Sequence, residues 1–199
     1  SLNVANGREK IAAVPPGISL LNFHYAWPPD TIDMNHGLGC AIGDNETGFN
    51  GTGDFHYRRE GWAFIMAGGA LYNHLDYSFT AGHEDGTFAF PSTQPGGGGK
   101  ALRRQLGILS RFMHSLDLPT RTPRNELLAA PLPDGLYTRI VGCADGQVAI
   151  YLCRTTPADG EAQTTLSLTL PAGRYRPTGS TPSQERRRRT WSRGSRTVC

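Results

Sequence analysis

The stretches ISLLNFHYA (residues 18–26) and CAIGDNETGF (residues 40–49) decide how this chain is read. The first is a near-continuous apolar run between proline pairs, the look of a strand buried on both faces of a parallel sheet. The second is apolar at its start and polar at its end. Such a switch suits a barrel strand that runs from the core to an active-site rim.

Working outward, residues 1–14, with REKIAAV among them, predict the end of a helix stopped by Pro15-Pro16-Gly17. WPPDTIDMNHGLG (27–39) reads as an irregular connection. From Arg59 to Leu71 the pattern is helical, with Trp62, Ile65, Met66, Ala70 and Leu71 near one face. HLDYSFT (74–80) reads as a further short strand, and a Gly- and Pro-rich loop then ends in PGGGG (95–99). KALRRQLGILSRFMHSLD (100–117) is the clearest amphipathic helix, its apolar positions Leu102, Leu106, Leu109, Phe112, Met113 and Leu116 recurring at three or four. This order is the rhythm of a parallel α/β barrel. After Pro119 the rhythm changes: GLYTRIVG, QVAIYLCR and TTLSLTLP alternate and are separated by CADG and PADG. They predict antiparallel strands in a separate β-domain beginning near residue 120. The expected division is 1–120, 121–177 and a disordered tail 178–199. No internal repeat is visible.

Composition narrows the function classes. The 199 residues are 38% hydrophobic and 19% charged, a globular balance. No apolar run reaches the roughly 20 residues of a membrane span. The formal charge of +3 comes from the end of the chain, where residues 186–199 carry six Arg and no acid. The remainder holds 14 basic and 17 acidic residues, a net −3, so no nucleic-acid surface is expected. The tail is instead expected to be a frame-shifted or mis-assembled end. The opening SLNVANGREK lacks an initiator Met and a signal peptide and reads as a cut into a longer protein. Four Cys (40, 143, 153, 199) show no CxxC spacing, which argues against zinc. Cys143 and Cys153 could face each other across a hairpin, or could simply be small buried residues.

NFHYA (22–26), DNETGF (44–49), GWAFIMAGGALYNHLDYSFT (61–80), EDGT (84–87) and PGGGG, in that order and spacing, resemble the cellulase-like retaining glycoside hydrolases of (β/α)₈ fold. The resemblance covers about residues 15–120. It implies the C-terminal portion of a TIM barrel, about strands six to eight, followed by a β-sandwich-like domain. In that group the nucleophilic carboxylate ends strand seven, which maps onto Glu46. A Tyr after strand six that hydrogen-bonds it maps onto Tyr25. The acid/base carboxyl belongs to strand four, which has no counterpart here. The implied function is retaining hydrolysis of O-glycosidic bonds in a polysaccharide or oligosaccharide, with the chain a fragment of the enzyme. The alternatives are a non-catalytic carbohydrate-binding pseudoenzyme or an inactive fragment. No cofactor, metal, nucleic acid or membrane is implied; a monomer is expected, and secretion or a periplasmic location suits the parent.

Chemistry gives reasons for these residue types. Retaining hydrolysis needs two carboxyls about 5 Å apart, one attacking and one protonating the leaving oxygen. A hydroxyl donor such as Tyr25 would favour the charged form of the attacking group. His24 would line the same pocket, Asn45 would orient the loop, and Trp27, Phe49, Tyr57 and Tyr77 would offer aromatic faces to sugar rings. Asp76 could accept a sugar hydroxyl or orient a neighbour, and Glu84 belongs to a rim loop. Each has a plainer reading. Glu46 could pair with Arg58 or Arg59, His24 and Tyr25 could be core, and Asp54, Tyr57 and Arg58 could be the first turn of a helix. Asp44 reads as loop-orienting. PGGGG lacks a following GK[ST] and reads as a flexible loop rather than a phosphate cradle.

Overall fold

The computed structural model describes residues 1–4, 7–26, 29–91, 96–160, 163–182, 184–188 and 197–198. It is mixed α/β, with one parallel sheet and separate antiparallel sheets. Two compact units divide within the third helix, Ser1–Arg111 and Phe112–Cys199.

In the first unit, β1 (Leu2–Asn3), β2 (Leu20–His24), β3 (Ala41–Glu46) and β4 (Leu71–Tyr72) lie side by side in chain order, all parallel. Between them come α1 (Asp30–Asn35) and α2 (Asp54–Met66), and α3 (Lys100–Met113) follows. Successive side chains of a strand point to opposite faces. On one face Leu21, Phe23 and Ile42 are buried with Ile32 of α1, Phe64 of α2 and Ala67 after it, forming the core. The other face carries Asn22, Gly43 and Leu71. A Cβ on Gly43 would come within 2.7 Å of Asn22 Oδ1 and 3.2 Å of Leu71 Cδ2.

Several expected elements differ. Residues 1–14 form no helix among the described residues. Leu2 and Asn3 pair with β2, and the Asn35 side chain binds Glu9 O and Ile11 N–H, each at 2.8 Å, removing groups a helical ladder would need. The connection 27–39 is not irregular throughout: α1 and a 3₁₀ turn over His36–Leu38 occupy it. Asp30 and Asp33 in the first turn favour the helix start, and Thr31, Ile32 and Asn35 are buried. Helix α2 starts five residues before the expected Arg59 and stops at Met66. The chain turns at Gly68 (φ 112°), and Gly68 and Gly69 N–H return to the carbonyls of Ile65 and Phe64. That releases Leu71 and Tyr72 to form β4, so the strand lies wholly before the expected stretch 74–80. Asp76 then turns the chain by accepting from Ser78 N–H at 3.0 Å. Helix α3 keeps Leu102, Ile108, Leu109 and Met113 buried.

In the second unit β5 (Thr122–Pro123), β6 (Leu136–Gly142) and β7 (Val148–Arg154) form an antiparallel sheet. Cys153 pairs with Tyr137, whereas Cys143 lies beyond the strand at the turn, its N–H on Gln147 O. The two do not face each other, and Cys40, Cys143 and Cys153 are thiols rather than disulfides. Beyond them, β8 (Thr164–Thr165), β9 (Gly179–Thr181), β10 (Gln184–Arg188) and β11 (Thr197–Val198) pair as β9 with β10 and β8 with β11. Most of RRRR thus falls in β10, while Arg189 lies outside the described residues.

Candidate active site

The C-terminal ends of parallel strands collect side chains where loops begin. Here one irregularity decides which. The β2–β3 register runs Phe23↔Asp44 and then His24↔Glu46, leaving Asn45 as an extra residue. Such a bulge re-aims the side chains beyond it. In unbroken alternation Glu46 would share the helix-packed face with Ile42 and Asp44. With the bulge it pairs with His24, on the face of Asn22 and Gly43.

The chain around it is held tightly. Tyr25 N–H donates to Glu46 O at 2.7 Å, and the Tyr25 hydroxyl donates to Glu46 Oε1. His24 Nδ1 lies 3.6 Å from Glu46 Oε2. Donating to a carboxylate pushes the Tyr25 phenol up to about 12, with burial and the Glu46 charge adding to it. Tyr25 therefore remains a proton donor throughout the neutral range. The buried His24 Nε2 and Asn45 Oδ1 have no hydrogen-bond partner in the structure.

Among the described residues two non-glycines take left-handed backbone conformations, Tyr25 (φ 51°), which is bonded to Glu46, and Phe49 (φ 61°), three residues beyond Glu46. Such strain costs roughly 1–3 kcal/mol per residue and gathers at functional sites. Phe49 is 58% exposed, and its ring lies 5.8 Å from Tyr25 and 6.4 Å from Tyr77, which in turn is 6.2 Å from Phe90. An open depression of about 460 Å³ adjoins them, lined by Tyr25, Thr47, Gly48, Phe49, Asn50 and Glu60.

The other expected residues divide. Trp27 lies outside the described residues. Tyr57 is not at the rim: it is fully buried, its hydroxyl donating to Gly51 O at 2.7 Å and accepting from Asn50 N–H at 3.2 Å. Helix α2 carries it inward beneath Gly97, where a Cβ would overlap its ring. Asp76 is engaged by Arg103 at 2.7 Å, by Ser78 and by Gly99 N–H at 3.2 Å. Burial works to raise its carboxyl, and the bonds from Ser78 and Arg103 overcome that and hold it below the usual range. Glu84 caps Gly82 N–H at 3.0 Å within its own exposed loop. PGGGG is not loose at Gly96 and Gly97, which are buried against Tyr77 and Tyr57. Arg58 hydrogen-bonds Gln105 on α3, as does Asp54 at 2.8 Å.

Sequence reading missed the carboxyls beneath the strand end. Asp44, which the sequence suggests as a loop-orienting group, is completely buried on the helix-packed face, and neither carboxyl oxygen completes a hydrogen bond. Burial first and the Glu60 charge second push it up to about 8, which the nearby Glu46 peptide N–H offsets only in part. Glu60, 7% exposed, is pushed up to about 7 by burial, against hydrogen bonds from Thr47 and Tyr72. The available signal was spacing: Asp44 falls at the same parity as the apolar Ile42.

Among the described residues, no three His, Cys, Asp or Glu side chains converge to hold a metal ion, and no helix is long and apolar enough to cross a membrane. No protein-family model, curated protein or solved structure matches the chain.

Proposed function

We propose that the chain is the C-terminal portion of a (β/α)₈ retaining glycoside hydrolase and that Glu46 is its nucleophile. The observation that carries this reading is the Glu46 carboxylate at the C-terminal end of a parallel strand, held by the Tyr25 hydroxyl beside an exposed aromatic rim. Four parallel strands in chain order, with helices on one face, agree with a barrel arc. Glu46 Oε2 would attack the anomeric carbon while Tyr25 keeps its proton and orients Oε1. Phe49 and Tyr77 would stack on sugar rings. The acid/base carboxyl would come from another strand of the parent barrel.

An activated aryl glycoside, whose leaving group needs no protonation, tests Glu46 without that acid. Turnover of a dinitrophenyl β-glycoside, with a sugar-sized mass increment on the Glu46 peptide, is the expected result. Glu46→Gln should reduce turnover by more than about 1,000-fold, the scale of losing a nucleophile. The aromatic rim favours one second reading, carbohydrate binding without cleavage. Binding of oligosaccharides with no turnover and no adduct would select it, and absence of both would leave an inactive fragment.

A further inference from the structure

Glu60 Oε2 accepts from Thr47 Oγ1 at 2.9 Å and from the Tyr72 hydroxyl at 3.0 Å. One carboxyl on α2 therefore fastens the residue after Glu46 on β3 and, at once, the neighbouring β4. Its other oxygen faces His56 Nε2 at 4.0 Å. Asp44 lies on the same side of the sheet, two residues before Glu46, paired in register with Tyr72 and without a completed hydrogen bond. Gly61, next to Glu60, leaves room for the Tyr72 ring, since a Cβ there would lie 2.9 Å from it. The strand end that presents Glu46 thus rests on two buried acids that the attack itself does not use.

We propose that Glu60 is a positioning residue for Glu46: with Asp44 it sets the end of β3, and it gives way when both carboxyls are charged. This rests on reading Glu46 as the reactive carboxylate. The groups facing the pair are His56, Tyr57 and Arg59 on α2, Tyr72 on β4, and the Glu46 peptide N–H on β3. Arg59 favours the charged form of Glu60, and the Glu60 charge opposes ionisation of Asp44. With Glu60 pushed up to about 7 and Asp44 to about 8, the pair passes from neutral to doubly charged between about pH 6 and pH 9, in steps that belong to the pair. A single charge on Glu60 is still held by Thr47 and Tyr72. The second places two like charges in one buried space with no completed hydrogen bond to Asp44, and the strand end shifts to admit water.

The Tyr25–Glu46 contact supplies a readout independent of turnover. With tyrosines labelled with ¹³C at Cζ, and Tyr25 assigned through Tyr25→Phe, its resonance should hold steady up to about pH 6.5. It should then move as pH rises through the interval from about 7 to 8.5, far below the titration of Tyr25 itself. Glu60→Gln keeps an oxygen for Thr47 and Tyr72 but removes one charge, and should abolish the step. Thr47→Val should displace the resonance already at pH 6. A wild-type resonance flat to pH 9, or an unchanged step in Glu60→Gln, overturns the proposal. Should Glu60→Gln not fold, an unshifted Tyr25 in Thr47→Val overturns it equally. A step without turnover of the aryl glycoside would sink the nucleophile reading while leaving the positioning of Glu46 standing.

Discussion

Tyr25 contributes to Glu46 through a single hydroxyl, and that makes its share measurable. A hydrogen bond to a charged group is worth about 1.5–3 kcal/mol, so Tyr25→Phe should slow aryl-glycoside turnover roughly 10- to 100-fold. Because the phenol ionises only near 12, the wild-type profile should show no Tyr25 limb below pH 10. An unchanged rate in Tyr25→Phe would remove Tyr25 from the chemistry. Glu46 and Tyr25 were legible as strand-end residues in DNETGF and NFHYA, their pairing only as what the resemblance implied. Asp44 and Glu60 were not. Glu60 sits in RREGW among charged neighbours and looks like part of a solvated helix face, and only the fold turns it inward.

At the scale of elements, the glycine run after the long loop is a wedge between rings. A Cβ on Gly97 would overlap Tyr57, and one on Gly96 would overlap Tyr77. Gly97→Ala should destabilise the protein by about 1–3 kcal/mol through overpacking. In a melt, that is a drop of roughly 2–4 °C per kcal/mol for a chain this size. An unchanged melting temperature would mean that the loop does not hold this position in solution. Element reading from the sequence worked where the pattern was strong: the apolar runs of β2 and β3 and the helical period of α3. It failed where side chains override local pattern. Asn35 captures the backbone of residues 9–11, Gly68 ends α2 ahead of β4, and Asp76 turns the chain where a strand was expected. The bulge at Asn45 has no local signal, since it exists only relative to β2.

For the whole molecule, the buried acids make stability depend on pH. The folded-state value of Asp44, about 8, lies above its ordinary 3.8, so the native state holds the proton longer than the unfolded chain. Stability should therefore be fullest below about pH 4 for this group and should fall as pH rises toward 8. Relaxation around the site would limit the loss to a few kcal/mol, on the order of 2–4. Urea midpoints at pH 5 and pH 8.5 should differ accordingly, and Asp44→Asn should shrink the difference to the share that Glu60 still contributes. Equal midpoints in the wild type would show that Asp44 is not buried as described. Because Cys40, Cys143 and Cys153 are thiols rather than disulfides, adding a reductant should leave both midpoints where they are.

The left-handed backbone at Tyr25 and Phe49 matters to anyone improving this protein. Glycine would relieve the strain at Phe49, whose exposed side chain makes no hydrogen bond of its own, so a screen that rewards heat resistance alone should enrich Phe49→Gly early; at Tyr25 the same exchange would forfeit the hydrogen bond to Glu46. That replacement discards a ring of the rim beside Tyr25. Selection for robustness would consume the rim first, and the hardiest descendants would be the ones least able to hold a ligand.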